Sequence, residues 1–199
     1  YADGLRPDRV LEQHRTIEDL NQQLAPFRIF KGIESDILYD GSLDYEEDIL
    51  RTFDFIIASI HSQLNMTEAK ATERLLKAIQ NPFTTILGHP TGRLLLSRPG
   101  YPLDHSQIID ACAEHGVVIE LNANPYRLDL DWHWIPLAIE KGVKIAINPD
   151  AHSRDGIRDI RYGVKSARKG GLTAEYCLNH LSVNEIAAYF TSRKQRTLV

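Results

Sequence analysis

The sequence has little that would tie it to a membrane, to an oxidising compartment or, by bulk charge, to nucleic acid. Its longest apolar runs are about strand length, well short of the roughly 20 residues of a membrane-spanning helix, and no stretch has the order of a secretory signal. Only two cysteines occur, Cys112 and Cys177, without CxxC spacing. Each falls in a segment that reads as helix or element edge, which predicts free thiols in a reducing cytosol and hence a cytoplasmic protein. A basic excess is also missing: 23 Lys and Arg against 27 Asp and Glu give a net charge of -4, so nucleic-acid contact would need a local patch. No repeat, low-complexity tract or linker divides the chain, and 199 residues suffice for one domain. No methionine opens it. It starts at Tyr1 and runs straight into a helical pattern, and the expectation is that residues precede it.

What is present is an alternation of short apolar runs with amphipathic stretches, the signature of parallel βα units. Val10, Leu11, Ile17, Leu20 and Leu24 predict a first helix from Pro7 to Leu24. Strands are predicted at Arg28–Glu34, Phe55–Ile60, Thr85–Gly88, Val117–Leu121 and Val143–Asn148, with a short sixth at Cys177–Leu181 as an option. Helices are predicted at Tyr45–Arg51, Thr67–Gln80, Asp104–His115, Asp131–Lys141 and Ile157–Lys169. The last helix opens with Ser182-Val183-Asn184-Glu185, a capping box. Five or six strands are too few for a closed eight-stranded barrel of ~250 residues, and an open doubly wound sheet tolerates five. The position of the polar residues decides between them.

Each predicted strand hands over to its loop through a group that can bind a metal or a phosphate oxygen: Glu34, His61, His89, then Asn122 after the fourth, then Asp150 and His152. In α/β barrels the C-terminal strand ends converge on one face, which holds the active site. Imidazoles mixed with carboxylates suit Zn, Mn or Fe. A single histidine after an apolar run is usually a rim or core residue, but three with two acids at matching strand ends predict a metal centre. His14, His105, His115, His133 and His180 lie in or beside predicted helices and take the ordinary structural reading.

The stretches GIESDI, DGSLDY, DFIIASIHS, ILGHPTGRLLLSRPGY, IELNANPYRLDLDW and INPDAHS resemble the PHP (polymerase and histidinol phosphatase) domain that follows the polymerase module in bacterial family X DNA polymerases. The resemblance implies an α/β fold, a distorted TIM-like (β/α)7 barrel, here a partial barrel of five to six parallel strands. It implies up to three divalent ions, Mn or Zn, held by nine residues. Glu34, His61, His89, Asp150 and His152 match five of the nine, and Glu34, His61, Asp150 and His152 would carry the catalysis. The other four belong to motifs near the family domain's start, a His-x-His pair, an Asp and a histidine of an Asp-His-Ser segment; no His-x-His occurs in this sequence, and Tyr1 is expected to lie just after that Asp-His-Ser position. Residues 1–199 are therefore read as a single PHP domain fragment without the barrel's first two strands, its metal site split. The implied activity is hydrolysis of DNA phosphodiesters in repair, as a 3′→5′ exonuclease or 3′-end processing enzyme, with DNA and the polymerase module as partners and no membrane. A small-molecule phosphatase of histidinol-phosphatase type and a non-catalytic module bracing the polymerase are the alternatives.

Further residues are candidates for substrate contact. Arg93 follows a glycine four residues beyond His89, and Arg127 follows the fourth strand. Either could hold a phosphate or pair with Asp129 or Asp131. Asn122 could bond a ligand or substrate. Arg154, Arg158, Arg161, Lys165 and Arg168 are spaced by four, three, four and three, one face of a continuous helix; Arg161 and Lys165 would track a DNA backbone, or the stripe is a solvated face. Trp132 and Trp134 suit packing better than base stacking.

Overall fold

A computed structural model describes residues 4–196. Five parallel strands form one sheet: β1 (Gly32–Asp36), β2 (Phe55–Ser59), β3 (Ile86–Leu87), β4 (Val118–Asn122) and β5 (Ile145–Asn148). Their spatial order is their order in the chain. A doubly wound sheet reverses direction at a switch point, whereas each strand here is laid beside the last on the same side, as in a barrel. The fold is α/β with a parallel sheet flanked by helices, five strands of a TIM-like barrel.

Helices α1 (Pro7–Gln23), α2 (Glu47–Leu50), α3 (Glu68–Gln80), α4 (His105–His115), α5 (Ile135–Glu140), α6 (Ile160–Lys169) and α7 (Val183–Arg196) complete the order. Local chemistry sets their starts. Pro7 occupies the first turn of α1. The Thr67 hydroxyl accepts from the Lys70 N–H at 3.3 Å, and the Asp104 carboxylate accepts from the Gln107 N–H at 3.0 Å. The capping box before α7 forms in both directions, with the Ser182 N–H on Glu185 Oε2 at 2.7 Å and the Glu185 N–H on the Ser182 hydroxyl.

Alternation along the strands gives the sheet two apolar faces. Ile56, Ala58, Leu87, Ile119, Leu121, Ile145 and Ile147 share one core with α3, α4 and α5. Each such side chain, once buried, contributes roughly 1.5–3 kcal/mol relative to exposure. The opposite face carries Ile86, Val118 and Ala146, covered by Leu178 and by Ile186 and Tyr189 of α7. Arg193 of α7 donates to the Thr84 carbonyl at 2.6 Å and to the His115 carbonyl, fixing the helix beneath the strands. The lower part of this inner face is therefore covered by apolar side chains. Gly163 lets α6 lie close on β4 and β5: a Cβ there would sit 2.5 Å from that of Ala123 and 2.6 Å from Ile147 Cγ2.

Three sequence expectations are corrected. The first strand occupies Gly32–Asp36, not Arg28–Glu34, so it runs past Glu34 to Asp36. Cys177–Leu181 is not a strand: Cys177 makes one parallel bridge to Ile145, and 3-10 turns Ala174–Tyr176 and Leu178–His180 hold the rest. Finally, Ile157–Lys169 is not one α-helix. Asp155–Asp159 is a 3-10 segment and α6 begins at Ile160. Asp155 and Gly156 are poor α-formers, and the tighter three-residue turn takes Arg154 and Arg158 out of register with Arg161, Lys165 and Arg168.

Candidate metal centre

Glu34 lies in β1, while His61 and His89 each stand two residues past the end of β2 and β3. Parallel register sets these strand ends side by side. Glu34 Oε1 is 3.3 Å from His61 Nε2 and 3.1 Å from His89 Nε2, and the two imidazole rings are 5.1 Å apart. One ligand atom from each residue falls within 4.8 Å of the others, the one such group of His, Cys, Asp or Glu among the described residues. Strand β3 reaches this position because Gly88 lacks a Cβ, which would stand 2.2 Å from Ser59 Oγ.

The charges follow from the geometry. Burial opposes ionisation of Glu34, but hydrogen bonds from His61 and His89 outweigh it and hold the carboxyl well below the usual carboxylate range. The Glu34 carboxylate, with Asp36 behind the ring, pushes His61 up to about 9 against the effect of burial. His61 Nδ1 donates to Asp36 Oδ1, which turns Nε2 toward Glu34. This is the carboxylate–histidine arrangement that orients metal-ligating imidazoles. His89 is 2 % exposed and its Nδ1 has no hydrogen-bond partner. A carboxylate converging with two imidazoles is a donor set for Zn, Mn or Fe, so the residues present fit a divalent ion.

Asp150 and His152 form a separate group. The Asp150 carboxylate accepts from Asn122 Nδ2 at 3.1 Å and lies 3.5 Å from Arg127 Nε. The His152 ring is turned back on the Asp150 carbonyl, Nδ1 to O at 2.8 Å, and its side chain is 85 % exposed. Asp150 has φ +49, a left-handed backbone at the strand end. The structure thus brings Glu34, His61 and His89 together and sets Asp150 and His152 apart.

Between the two groups runs a buried polar chain. Glu120 Oε2 accepts from the His89 N–H at 2.7 Å and lies 3.5 Å from Asn122 Nδ2, and Asn122 leads on to Asp150. Glu120 Oε1 takes the Asn148 amide at 2.9 Å. Burial pushes the Glu120 carboxyl up to about 7. Sequence reasoning did not single out Glu120 or Asp36. An acid in the otherwise apolar VVIELNA run was the available signal for the first, and the second carboxylate in Glu34-Ser35-Asp36 for the other.

Arg93 is engaged as a latch. Its Nε donates to the Arg127 carbonyl at 2.9 Å, Nη1 to Asp131 Oδ2 at 2.7 Å, and Nη2 to the Leu128 carbonyl; this is the Asp131 pairing that the sequence left open. Beside it the Thr91 hydroxyl and N–H both donate to Asp129. Arg161 donates to the Tyr162 hydroxyl at 2.9 Å, and Lys165 is exposed on α6. Arg74, 1 % exposed, donates to the Leu38, Ser62 and Ile37 carbonyls, tying together the segments that follow Asp36 and His61.

No family model matches the chain. It is 43 % identical over 188 residues to the DNA polymerase/3′-5′ exonuclease PolX of Bacillus subtilis, covering 94 % of this chain and 33 % of that protein. It is 30 % identical over 187 residues to a probable phosphatase of Thermoanaerobacter sp., covering 89 % of this chain and 74 % of the relative. A probable phosphatase of Caldanaerobacter subterraneus is 28 % identical over 185 residues, 70 % of its length. The chain thus spans a third of the polymerase and about three quarters of the phosphatases. On the strength of these matches, the sequential parallel sheet and the clustered strand-end ligands, the chain belongs to the PHP family, as a PHP domain of the kind found in PolX.

Proposed function

We propose that this phosphoesterase-type domain hydrolyses DNA phosphodiesters at 3′ ends, in repair, beside a polymerase module of the same parent chain. The observation that carries the reading is the Glu34 carboxylate set between two imidazoles at the open end of the sheet, together with the likeness to a DNA polymerase/3′-5′ exonuclease. Glu34, His61 and His89 would hold one Mn or Zn ion, and Asp150 with His152 would contribute to a second, in a domain that takes up to three. Bound divalent metal supplies a nucleophilic water near neutral pH and charge neutralisation for the phosphoryl oxygens.

The chain's own residues do the remainder. Asp36 fixes the His61 tautomer so that Nε2 faces the ion. Asn122 orients Asp150. Arg127, 3.5 Å from Asp150, would bind a substrate phosphate, and Arg161 and Lys165 would supply cations for the strand beyond it. Arg93 supports the same phosphate site by holding the Arg127 and Leu128 carbonyls.

The test is the protein as its gene encodes it, loaded with Mn. It should shorten DNA from 3′ ends, and His61→Ala combined with Asp150→Ala should abolish this while sparing nucleotide addition. Nuclease activity surviving both changes refutes the proposal. A second reading, a small-molecule phosphatase, is favoured by the relatives named probable phosphatases. Preference for small phosphate esters over DNA ends would select it.

A further inference from the structure

Two apolar side chains stand on the rim of the site, unused by the fold. Leu96 is fully exposed and Tyr126 is 69 % exposed. Scattered apolar residues on a surface need no explanation, but these two are neither scattered nor loosely held. Leu96 tips a tight turn whose flanks, Leu94 and Arg98, pair antiparallel. Arg98 folds back onto the Gly92 carbonyl at 2.7 Å. The Leu95 N–H donates to the Tyr126 carbonyl at 2.6 Å, so the loop after β3 and the loop after β4 are joined where the two side chains emerge. The Arg93 and Asp129 contacts hold both loops from beneath.

Leu96 also has φ +63. Glycine and asparagine enter this left-handed region cheaply; leucine does not. A leucine both strained and turned to water is unfavourable twice over, and such outliers cluster where function requires them. The location gives the requirement. Tyr126 precedes Arg127, whose guanidinium lies beside the Asp150 carboxylate.

We propose that Leu96 and Tyr126 form a stacking platform for an unpaired base at the end of a nucleic-acid strand, with the adjoining phosphate on Arg127. The inference rests on the DNA-directed reading above and adds to it the group that recognises the base. An aromatic ring beside an aliphatic side chain receives any base through its π-face, which suits an enzyme indifferent to sequence. Two side chains are far too little surface for a protein partner, which needs on the order of 800 Å² from each side. The exposed cations of α6 follow His152 in the chain and would take the backbone beyond the stacked base.

The experiment uses the protein as its gene encodes it, freed of metal, and a single-stranded oligonucleotide with 2-aminopurine at its 3′ end, whose fluorescence falls on stacking. The wild type should quench it. Tyr126→Ala should weaken binding about tenfold and Tyr126→Phe should restore it. Leu96→Gly removes the side chain and relaxes the backbone together, so it should raise the unfolding temperature yet weaken binding about threefold. Unquenched fluorescence with the wild type, wild-type affinity in Tyr126→Ala, or wild-type affinity in a stabilised Leu96→Gly each overturns the proposal. So does a phenylalanine variant as weak as the alanine one, or a defect seen only in association with another protein. Cleavage by the Mn-loaded wild type is scored separately: its absence counts against the nuclease reading, whereas the stacking signal in metal-free protein decides the platform.

Discussion

The two halves of the candidate centre are built differently. Glu34, His61 and His89 are already assembled: their ligand atoms lie within 4.8 Å of one another, Asp36 backs one imidazole, and Arg74 holds the chain just beyond Asp36 and His61. Asp150 and His152 stand on the rim, with His152 almost wholly in solvent and Asp150 held by a single amide and a cation. The difference teaches where order costs least. Asp150 leaves β5 within two residues, as His61 and His89 leave their strands, but it does so with φ +49 and turns to Asn122 and Arg127, while His152 lies four residues beyond β5 on a loop that leads into a 3-10 turn. The first half already has the arrangement of a metal-ligand set; under the proposed function the second would complete its geometry only when ion and substrate bind.

The sharpest way to break this comparison is to remove one ligand from each half. His89→Ala should abolish tight binding of one Mn or Zn and lower phosphoesterase activity on the order of a thousandfold, whereas exposed His152 should cost only about tenfold as alanine. Metal content by atomic emission and steady-state rates report both, and equal losses would erase the distinction. Next comes the brace. Arg74→Met leaves the Leu38, Ser62 and Ile37 carbonyls without their donor, and about 3 kcal/mol of stability should disappear from urea unfolding. A smaller effect is expected for Asp36→Asn, which keeps shape but loses the charge behind His61: metal affinity should fall about 10- to 100-fold, against a few-fold for Asn122→Ala.

The latch between the loops gives a pH test. Burial opposes the charge of Asp131, but Arg93 and His133 outweigh it and depress its carboxyl to about 2. Because that value lies below the ordinary carboxylate range, the stabilisation is complete above about pH 4 and is lost as pH falls through 2. The fluorescence of Trp132 and Trp134, the two tryptophans of the chain, should follow this step, and Asp131→Asn should flatten it. The mildest change is charge reversal at Arg161 and Lys165. It should reduce the salt dependence of DNA binding by about two phosphate equivalents and leave metal content alone.

Much of this was legible in the sequence, and the gaps have physical causes. The alternation of apolar runs and amphipathic stretches specifies parallel βα units, and His61 and His89 are conspicuous because each closes an apolar run. Asp36 was passed over because the first strand starts four residues later than its apolar pattern suggests and ends past Glu34. Lys31 interrupts that pattern, and its N–H is taken by Asp54 instead of a neighbouring strand. Arg74 sits in a helical Glu-Arg-Leu-Leu-Lys run that reads as a solvated face; only tertiary packing shows that three carbonyls converge on it. The break before α6 was hidden because charge spacing alone does not distinguish an α-turn from a 3-10 turn.

The asparagines beside the sheet have a consequence for handling the protein. Asn179 takes both the N–H and the carbonyl of Ile147 through its side-chain amide, at 2.7 and 2.9 Å, and Asn21 does the same for Ile29 ahead of β1. Each amide imitates the peptide group of a neighbouring strand. An open parallel sheet otherwise offers its edges as templates on which copies can add and aggregate. With Ile147 already satisfied, and Ile145 bridged by Cys177, the β5 edge presents no continuous ladder to a second molecule. An Asn179→Ala change would leave the Ile147 N–H and carbonyl without these partners, and light scattering should then show more self-association than in the wild type.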